Sequence, residues 1–257
     1  MTLKLKLPPL IARAPTFNML LAALSPSDLL LISADLESVR LPLRTVLYEP
    51  GEPIDYIYFP TTGCVSMIHE TVDGSVEVGT IGLEGLVGVP ILLRGDSEPT
   101  RALVQVQGEG YRMTTAAFRA NVAESDTMQR IFLRYALALF NQVAQSVACN
   151  RLHTLEARCA RWLLITHDRV DGNEFKLTQE FLSYMLGVHR PAVTLAAGIL
   201  QKAGCIHYSR GTITVTDRAG LEAASCGCYQ ATLDDYAALA KGGNWHNRRH
   251  APERISG

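Results

Sequence analysis

Apolar residues recur along this chain with two different periods, and the places where the period changes outline its architecture. Residues 16–39, TFNMLLAALSPSDLLLISADLESV, carry a helical pattern broken at Ser25-Pro26. That break predicts two short helices, with Ser25 or Ser27 capping the second. From about Val39 the pattern tightens. VLYEPGEPIDYIYFPTTGCVSMIHETVDGSVEVGTIG sets β-branched and aromatic runs between Pro50-Gly51, Thr62-Gly63 and Asp73-Gly74, predicting short antiparallel strands joined by tight turns. Further β segments at 101–106 and 111–113 complete a β-roll or jelly-roll barrel over residues 40–114.

After Thr114 the helical period returns. A short helix over 115–122 leads into MQRIFLRYALALFNQVAQSVACNRL, where Met128, Ile131, Phe132, Tyr135, Leu139, Val143 and Val147 fall at steps of three, four and seven. A helix this long exceeds what a small barrel can cover. The stripe is therefore expected to pack against a second copy of itself about a two-fold axis, the alternative being a long core helix within a single chain. A second amphipathic helix follows at 155–167, then a turn at 170–173.

The last third reads as helix, sharp turn, helix and hairpin. Thr178 caps LTQEFLSYMLG, Gly187 ends it, and GVHRPAVTLAAGILQKAG forms the next helix, with Pro191 in a first turn where a missing N–H costs nothing. Strands at 205–208 and 212–215 flank Ser209-Arg210-Gly211. This is the pattern of a winged helix-turn-helix. Val193, Leu195, Ile199 and Leu200 are expected to hold the second helix to its core, leaving His189, Arg190, Ala192 and Thr194 around its exposed N-terminal end. In such domains that end enters the DNA major groove, where an arginine can grip guanine O6 and N7 and a methyl can meet thymine.

Charge supports that division weakly. The chain has 24 basic and 25 acidic residues, yet residues 1–150 carry 11 and 15 while residues 151–257 carry 13 and 10. The C-terminal part is the better partner for an anion. No run of 18 apolar residues appears and the first fifteen residues lack a signal-peptide core, so a cytoplasmic protein without a membrane partner is expected. Six scattered cysteines in a chain of 257 residues predict buried reduced thiols rather than a disulfide framework.

These residues resemble the Crp/Fnr superfamily of bacterial transcription regulators over roughly residues 17–222. The motifs that carry the resemblance are LYEPGEPIDYIYFPTTGCV, the long central helix, and LTQEFLSYMLGVHRPAVTLAAGILQKAGCI followed by YSRGTITVTDRAGLE. The resemblance implies an α+β chain with four parts: N-terminal helices and a cyclic-nucleotide-binding-like sensor barrel (1–123), a dimerisation helix (124–152), a winged helix-turn-helix (153–225) and a C-terminal tail (226–257). It also implies a homodimer on double-stranded DNA, with RNA polymerase and a small-molecule effector as further candidate partners. By position, Arg190 matches the family's base-reading arginine, and Thr178 with Gln179 matches its phosphate-contacting helix start. Arg210 and Thr212 lie in the wing that rests on the DNA backbone.

Two departures stand out. In GLEGLVGVPILLRGDSEPTRALVQV, Gly88 aligns with the glycine of the nucleotide cassette. Val89 then falls where members that bind cyclic AMP place a ribose-binding Glu, and Thr100 falls where they place a phosphate-binding Arg. Arg101 is one position late, and on a strand that shift points a side chain to the opposite face. The usual mode of cyclic AMP binding is therefore not expected. Pro191 stands where members reading a TGTGA-like half-site place a Glu, so a different half-site is expected.

Other constellations carry less. Glycines 79, 82, 85 and 88 lack the context of a phosphate loop and read as tight turns of a barrel. Tyr56, Tyr58 and His69 read as barrel core, with a small-molecule pocket as the alternative. Cys226-Gly227-Cys228 with His246 and His250 are soft-metal donors, but their spacing matches no standard zinc site. No catalytic set, cofactor or metal is expected. Two rival readings remain open: a regulatory nucleotide- or protein-binding module without DNA binding, and a cysteine-based redox or metal sensor.

Overall fold

A computed structural model describes residues 18–72, 74–170 and 172–240. Asn18 anchors the start of that chain. Its side-chain oxygen accepts from Leu20 N and Leu21 N to cap α1 (Met19–Ala22), while its amide donates to Pro60 O at 2.9 Å and Gly85 O at 2.7 Å. Ser25 caps α2 (Pro26–Ser33) by accepting from Asp28 N, as the Ser-Pro break predicts.

The barrel follows as β1 (Glu37–Leu41), β2 (Val46–Tyr48), β3 (Tyr56–Pro60), β4 (Cys64–Thr71), β5 (Gly74–Ile81), a short α3 (Val89–Leu92), β6 (Thr100–Val106) and β7 (Gly108–Thr114). Its strands form two antiparallel sheets, ordered β1-β7-β3 and β2-β6-β4-β5. Helices α4 (Thr115–Ala123) and α5 (Asp126–Leu152) close the barrel. Phe59, Phe118 and Phe132 meet there with ring centroids 5.5–6.4 Å apart, so β3, α4 and α5 share one core.

The glycine run owes more to close approach than to turning. Only Gly88 of the four has a positive φ, at 105°. At Gly82 and Gly85 a Cβ would lie 2.4 Å from Arg169 Cδ and 2.2 Å from Tyr135 Oη, so these glycines make room for two large side chains from distant elements.

The stripe predicted to meet a second chain, Val147 apart, is instead buried or half-buried within its own. Met128, Phe132 and Tyr135 are fully buried and Leu139 nearly so, all in the barrel core, and Ile131 packs against the same cluster. Tyr135 donates to Leu86 O at 3.1 Å, and Val143 lies over Gly79 on β5. The barrel does cover a long helix, because β5 extends the sheet beneath it. What remains outside is a different stripe: Leu133, Leu137, Phe140, Ala144 and Val147 are exposed, Phe140 by 68%. Their steps of four, three, four and three are those of a heptad seam.

Beyond α5 come α6 (Leu155–His167), β8 (Glu174–Lys176), α7 (Gln179–Leu186), α8 (Arg190–Lys202), β9 (Ile206–Ser209), β10 (Thr212–Val215), α9 (Arg218–Ala224) and α10 (Cys228–Ala240). A second core joins α6, α7, α8 and the three-stranded sheet β8-β10-β9. The residues set apart as a tail include α10, which packs on α5. Tyr236 from α10 enters the barrel core, donates to Gln142 Oε1 at 2.5 Å and stacks on Tyr135 with centroids 6.4 Å apart. His246, His250 and the basic end of the chain lie outside the described residues.

Barrel and C-terminal domain meet across a seam that is partly polar. Arg169, next after the α6 cap, reaches into the barrel and pairs with Glu84 at 2.5 and 3.2 Å, donates to Thr80 Oγ1 at 2.6 Å, and offers its carbonyl to Gly63 N. Glu77 on β5 accepts from Trp162 Nε1 at 2.8 Å and Ser66 Oγ at 2.6 Å. Burial pushes the Glu77 carboxyl up from 4.5 to about 7, against those two hydrogen bonds. An acid whose pKa rises on folding binds more protons when folded, so its contribution is largest below about pH 4.5 and is lost as pH rises to about 7. Wild-type protein should therefore lose about 1–2 kcal/mol between pH 5.5 and 8 relative to Glu77→Gln, the lower figure because Glu77 keeps some exposure. Parallel urea titrations at the two pH values measure this difference, and identical slopes in both proteins would refute it.

Candidate nucleic-acid interface

The C-terminal domain builds its exposed end from two capped helices and a hairpin. The Thr178 hydroxyl accepts from Phe181 N at 3.1 Å and caps α7, which Gly187 ends in the left-handed region at φ 62°. The Gly187 N–H donates back to Tyr184 O. This is the sharp turn the glycine predicts, and it swings α8 away from α7. His189 occupies the N-cap of α8 without a side-chain cap bond, and Pro191 sits in the first turn.

Val193, Ala196, Ala197 and Leu200 bury the inner face of α8. Leu195 and Ile199, expected to join them, are outside, Leu195 by 66%. The period explains the difference. Positions 193, 196, 197 and 200 form one helical stripe, and the small alanines let α8 lie close to its neighbours. Arg190 and Thr194 are also exposed, while Ala192 is partly buried.

Four of the predicted residues converge. Thr178, Gln179, Arg190 and Arg210 line one open notch of about 420 Å³, together with Tyr208 and Gly211. Thr194 is tied to this group through its hydroxyl, which lies 3.0 Å from Gln179 Oε1 and 3.1 Å from Arg190 O. Tyr208 donates to Leu177 O at 3.1 Å; burial raises its pKa, partly offset by the nearby Arg190 charge. The notch thus gathers the N-terminal end of α7, the first turn of α8 and two guanidinium groups. Peptide N–H groups at helix starts and guanidinium forks both suit phosphate oxygens.

The wing is held by strain as well as by pairing. Ser209 pairs with Thr212, and the two residues between them, Arg210 (φ 49°) and Gly211 (φ 77°), both have positive φ. A two-residue turn of this kind matches the strand twist, but a non-glycine residue there costs about 1–2 kcal/mol. Arg210 is thereby fixed at the tip. Thr212 also pairs with Lys176 on β8, a third strand that three residues of polar-flanked sequence did not signal.

The four residues proposed for an effector pocket do not form one polar site. Gly88 is the left-handed N-cap of α3, and Val89 is buried in the barrel core. Thr100 is buried on β6, whereas Arg101 lies on the opposite face, bound to Glu49 at 2.6 Å and Glu70 at 2.8 Å. Two residues from Thr100, Glu98 accepts a hydrogen bond from Tyr48. Burial raises the pKa of both Tyr48 and Glu98.

One grouping escaped sequence reasoning. Cys149 and His153 at the end of α5 meet Cys226 and Cys228 at the start of α10, a juxtaposition across 77 residues that no local motif announces.

Comparison with known proteins agrees with this architecture. Residues 38–125 match the family model of the cyclic nucleotide-binding domain, and residues 157–224 match that of the Crp-like helix-turn-helix domain. No curated protein matches the sequence significantly. Among solved structures, a Crp/Fnr-family transcriptional regulator from Eubacterium rectale aligns with a TM-score of 0.62 at 18% identity, covering 79% of this chain and 96% of that one. FixK2 from Bradyrhizobium japonicum aligns at 0.63 and 16%, covering 74% and 98%. The c-di-GMP responsive global regulator CLP of Xanthomonas campestris aligns at 0.54 and 18%, covering 74% and 99%. Two domain matches in the expected order, on a fold shared along nearly the whole length of such regulators, identify this chain as a member of the Crp/Fnr family of transcription regulators with a helix-turn-helix DNA-binding domain.

Proposed function

We propose that this regulator acts as a homodimer on a two-fold symmetric DNA site and that its barrel does not hold cyclic AMP in the usual mode. The convergence of Thr178, Gln179, Arg190 and Arg210 on one open notch carries the DNA reading. Arg190 reads a guanine edge from the first turn of α8, with Thr194 and the exposed Leu195 beside it to meet thymine methyls. Thr178, Gln179, Arg210 and Thr212 hold backbone phosphates, His189 flanks them at the α8 N-cap, and Ala192 supports the reading turn.

The exposed seam Leu133, Leu137, Phe140, Ala144 and Val147 supports the dimer, because two copies packed along it would bury a heptad stripe that otherwise faces water. Half-sites then lie about 34 Å apart, one DNA turn. In the barrel, Val89 offers a ribose hydroxyl no partner, and Arg101 is engaged outside by two carboxylates. The Glu98 carboxyl beside Thr100 further disfavours an anion there.

Genomic DNA capture by the purified protein at two salt concentrations tests the reading. The expected result is a symmetric site bound less tightly at high salt, with Arg190→Ala weakening it by about 1–3 kcal/mol and relaxing the preference at one base pair. Capture of no fragment by either protein, even at the lower salt, would favour the protein-binding alternative.

A further inference from the structure

We infer that Cys149, His153, Cys226 and Cys228 form a site for one tetrahedral divalent ion of the zinc class. The four donor atoms all lie within 4.8 Å of one another, and the three cysteines are buried while the histidine is exposed. Cys149 and His153 share a face of α5, one helical turn apart, and His153 is that helix's C-cap. Cys226 precedes α10 and Cys228 opens it, and a Cβ on the intervening Gly227 would meet nothing within 4 Å.

Distances favour a single ion over the alternatives. Zinc bonds of about 2.3 Å to sulfur and 2.0–2.1 Å to nitrogen place tetrahedral donors about 3.6–3.8 Å apart. Cys149 Sγ lies 3.5 Å from Cys226 Sγ, and Cys228 Sγ lies 3.5 Å from His153 Nδ1. A disulfide requires about 2.05 Å. It would also leave the third thiol and the imidazole unused. A four-iron cluster holds its ligands on four separate irons and a two-iron cluster holds two pairs on two irons, and both spread the four donors farther than this set.

The surroundings suit thiolate ligands. Gln145 Nε2 donates to Cys228 Sγ at 2.9 Å, the kind of outer hydrogen bond that orients a metal-bound sulfur. Cys228 stands at the N-terminal end of a 13-residue helix, which favours negative charge. Three thiolates on a divalent ion leave one net negative charge, and Arg161, which donates to Ser146 one turn before Cys149 and Asn150, supplies a nearby positive one. Histidine ligates through Nδ1, leaving Nε2 toward solvent. The ion would tie the end of α5 to the start of α10, beside the turn into α6.

The site stands independently of the DNA reading and is tested on full-length protein purified under reducing conditions. Elemental analysis should find one zinc per chain. After chelation, one equivalent of Co²⁺ should give the d–d and thiolate charge-transfer bands of tetrahedral cobalt, reversed by zinc. Cys226→Ser and His153→Gln should each weaken Co²⁺ binding at least tenfold. Cys64→Ser, which alters a buried thiol outside the cluster and beside Arg169, should bind as wild type and control for misfolding. Reduced wild-type protein that holds no metal and gives no cobalt bands would overturn the assignment. Iron with labile sulfide in anaerobically prepared protein would overturn it too, as would cobalt bands that survive both ligand substitutions.

Discussion

Leu137→Asp/Phe140→Asp is expected to sediment as a folded monomer and to lose more than a hundredfold in affinity for the symmetric site. The two side chains lie on the exposed stripe of α5, opposite the residues that close the barrel, so replacing them leaves the barrel core intact. In a two-fold dimer each is buried twice. At about 1.5–3 kcal/mol per buried Leu or Phe, four side chains account for about 6–12 kcal/mol of association, before any cost of burying the new carboxylates. Without the second chain, DNA binding falls to one half-site. Analytical ultracentrifugation decides the first step and a binding isotherm the second. A variant that remains dimeric would place the interface elsewhere.

The second large effect is expected at the domain seam. Glu84→Ala should lower stability by about 3–5 kcal/mol, because it strands the Arg169 guanidinium in a site where both residues are nearly inaccessible. The hydrogen bond to Thr80 Oγ1 remains, but a hydroxyl does not neutralise a charge. Glu84→Leu/Arg169→Met should cost much less than Glu84→Ala, since removing both charges ends the desolvation problem that removing one creates. Urea titration of the three proteins measures the comparison. A double variant as unstable as the single would mean that the pair contributes through shape rather than charge.

How far the fold can be read from residues varies by element, for physical reasons. Helix α6 runs from Leu155 to His167 as the pattern predicts, because Thr154 caps it and the stripe of one face is unbroken. The wing is equally legible, since Arg210-Gly211 between β-branched runs leaves the chain little choice but a tight turn. Long α5 is legible as a helix but not in its orientation. It carries two apolar stripes of similar period, one through Phe132 and Tyr135 and one through Leu137 and Phe140, and periodicity alone does not say which meets the barrel. Aromatic bulk suits the barrel side, where Phe59 and Phe118 wait. At the notch proposed to meet DNA, Arg190, Gln179, Thr178 and Arg210 are named by their motif and lie together. The exposure of Leu195 beside them was not legible, because an apolar residue on a helix is ordinarily assigned to the core. The Cys149–His153–Cys226–Cys228 grouping depends on α10 folding back along α5, and nothing local encodes that approach.

That return of α10 has a consequence for how the chain is made. Among the described residues, the buried apolar core of the barrel is complete by Leu139 except for Tyr236, which arrives roughly a hundred residues later and packs on Tyr135. At about 5–20 residues per second, a ribosome needs about 5–20 seconds to cover that distance. Throughout that interval the nascent barrel exposes the Tyr135 ring and leaves Gln142 Oε1 without its phenol donor. The barrel of this regulator therefore emerges before the winged domain and is finished only after it, when α10 returns to Tyr135.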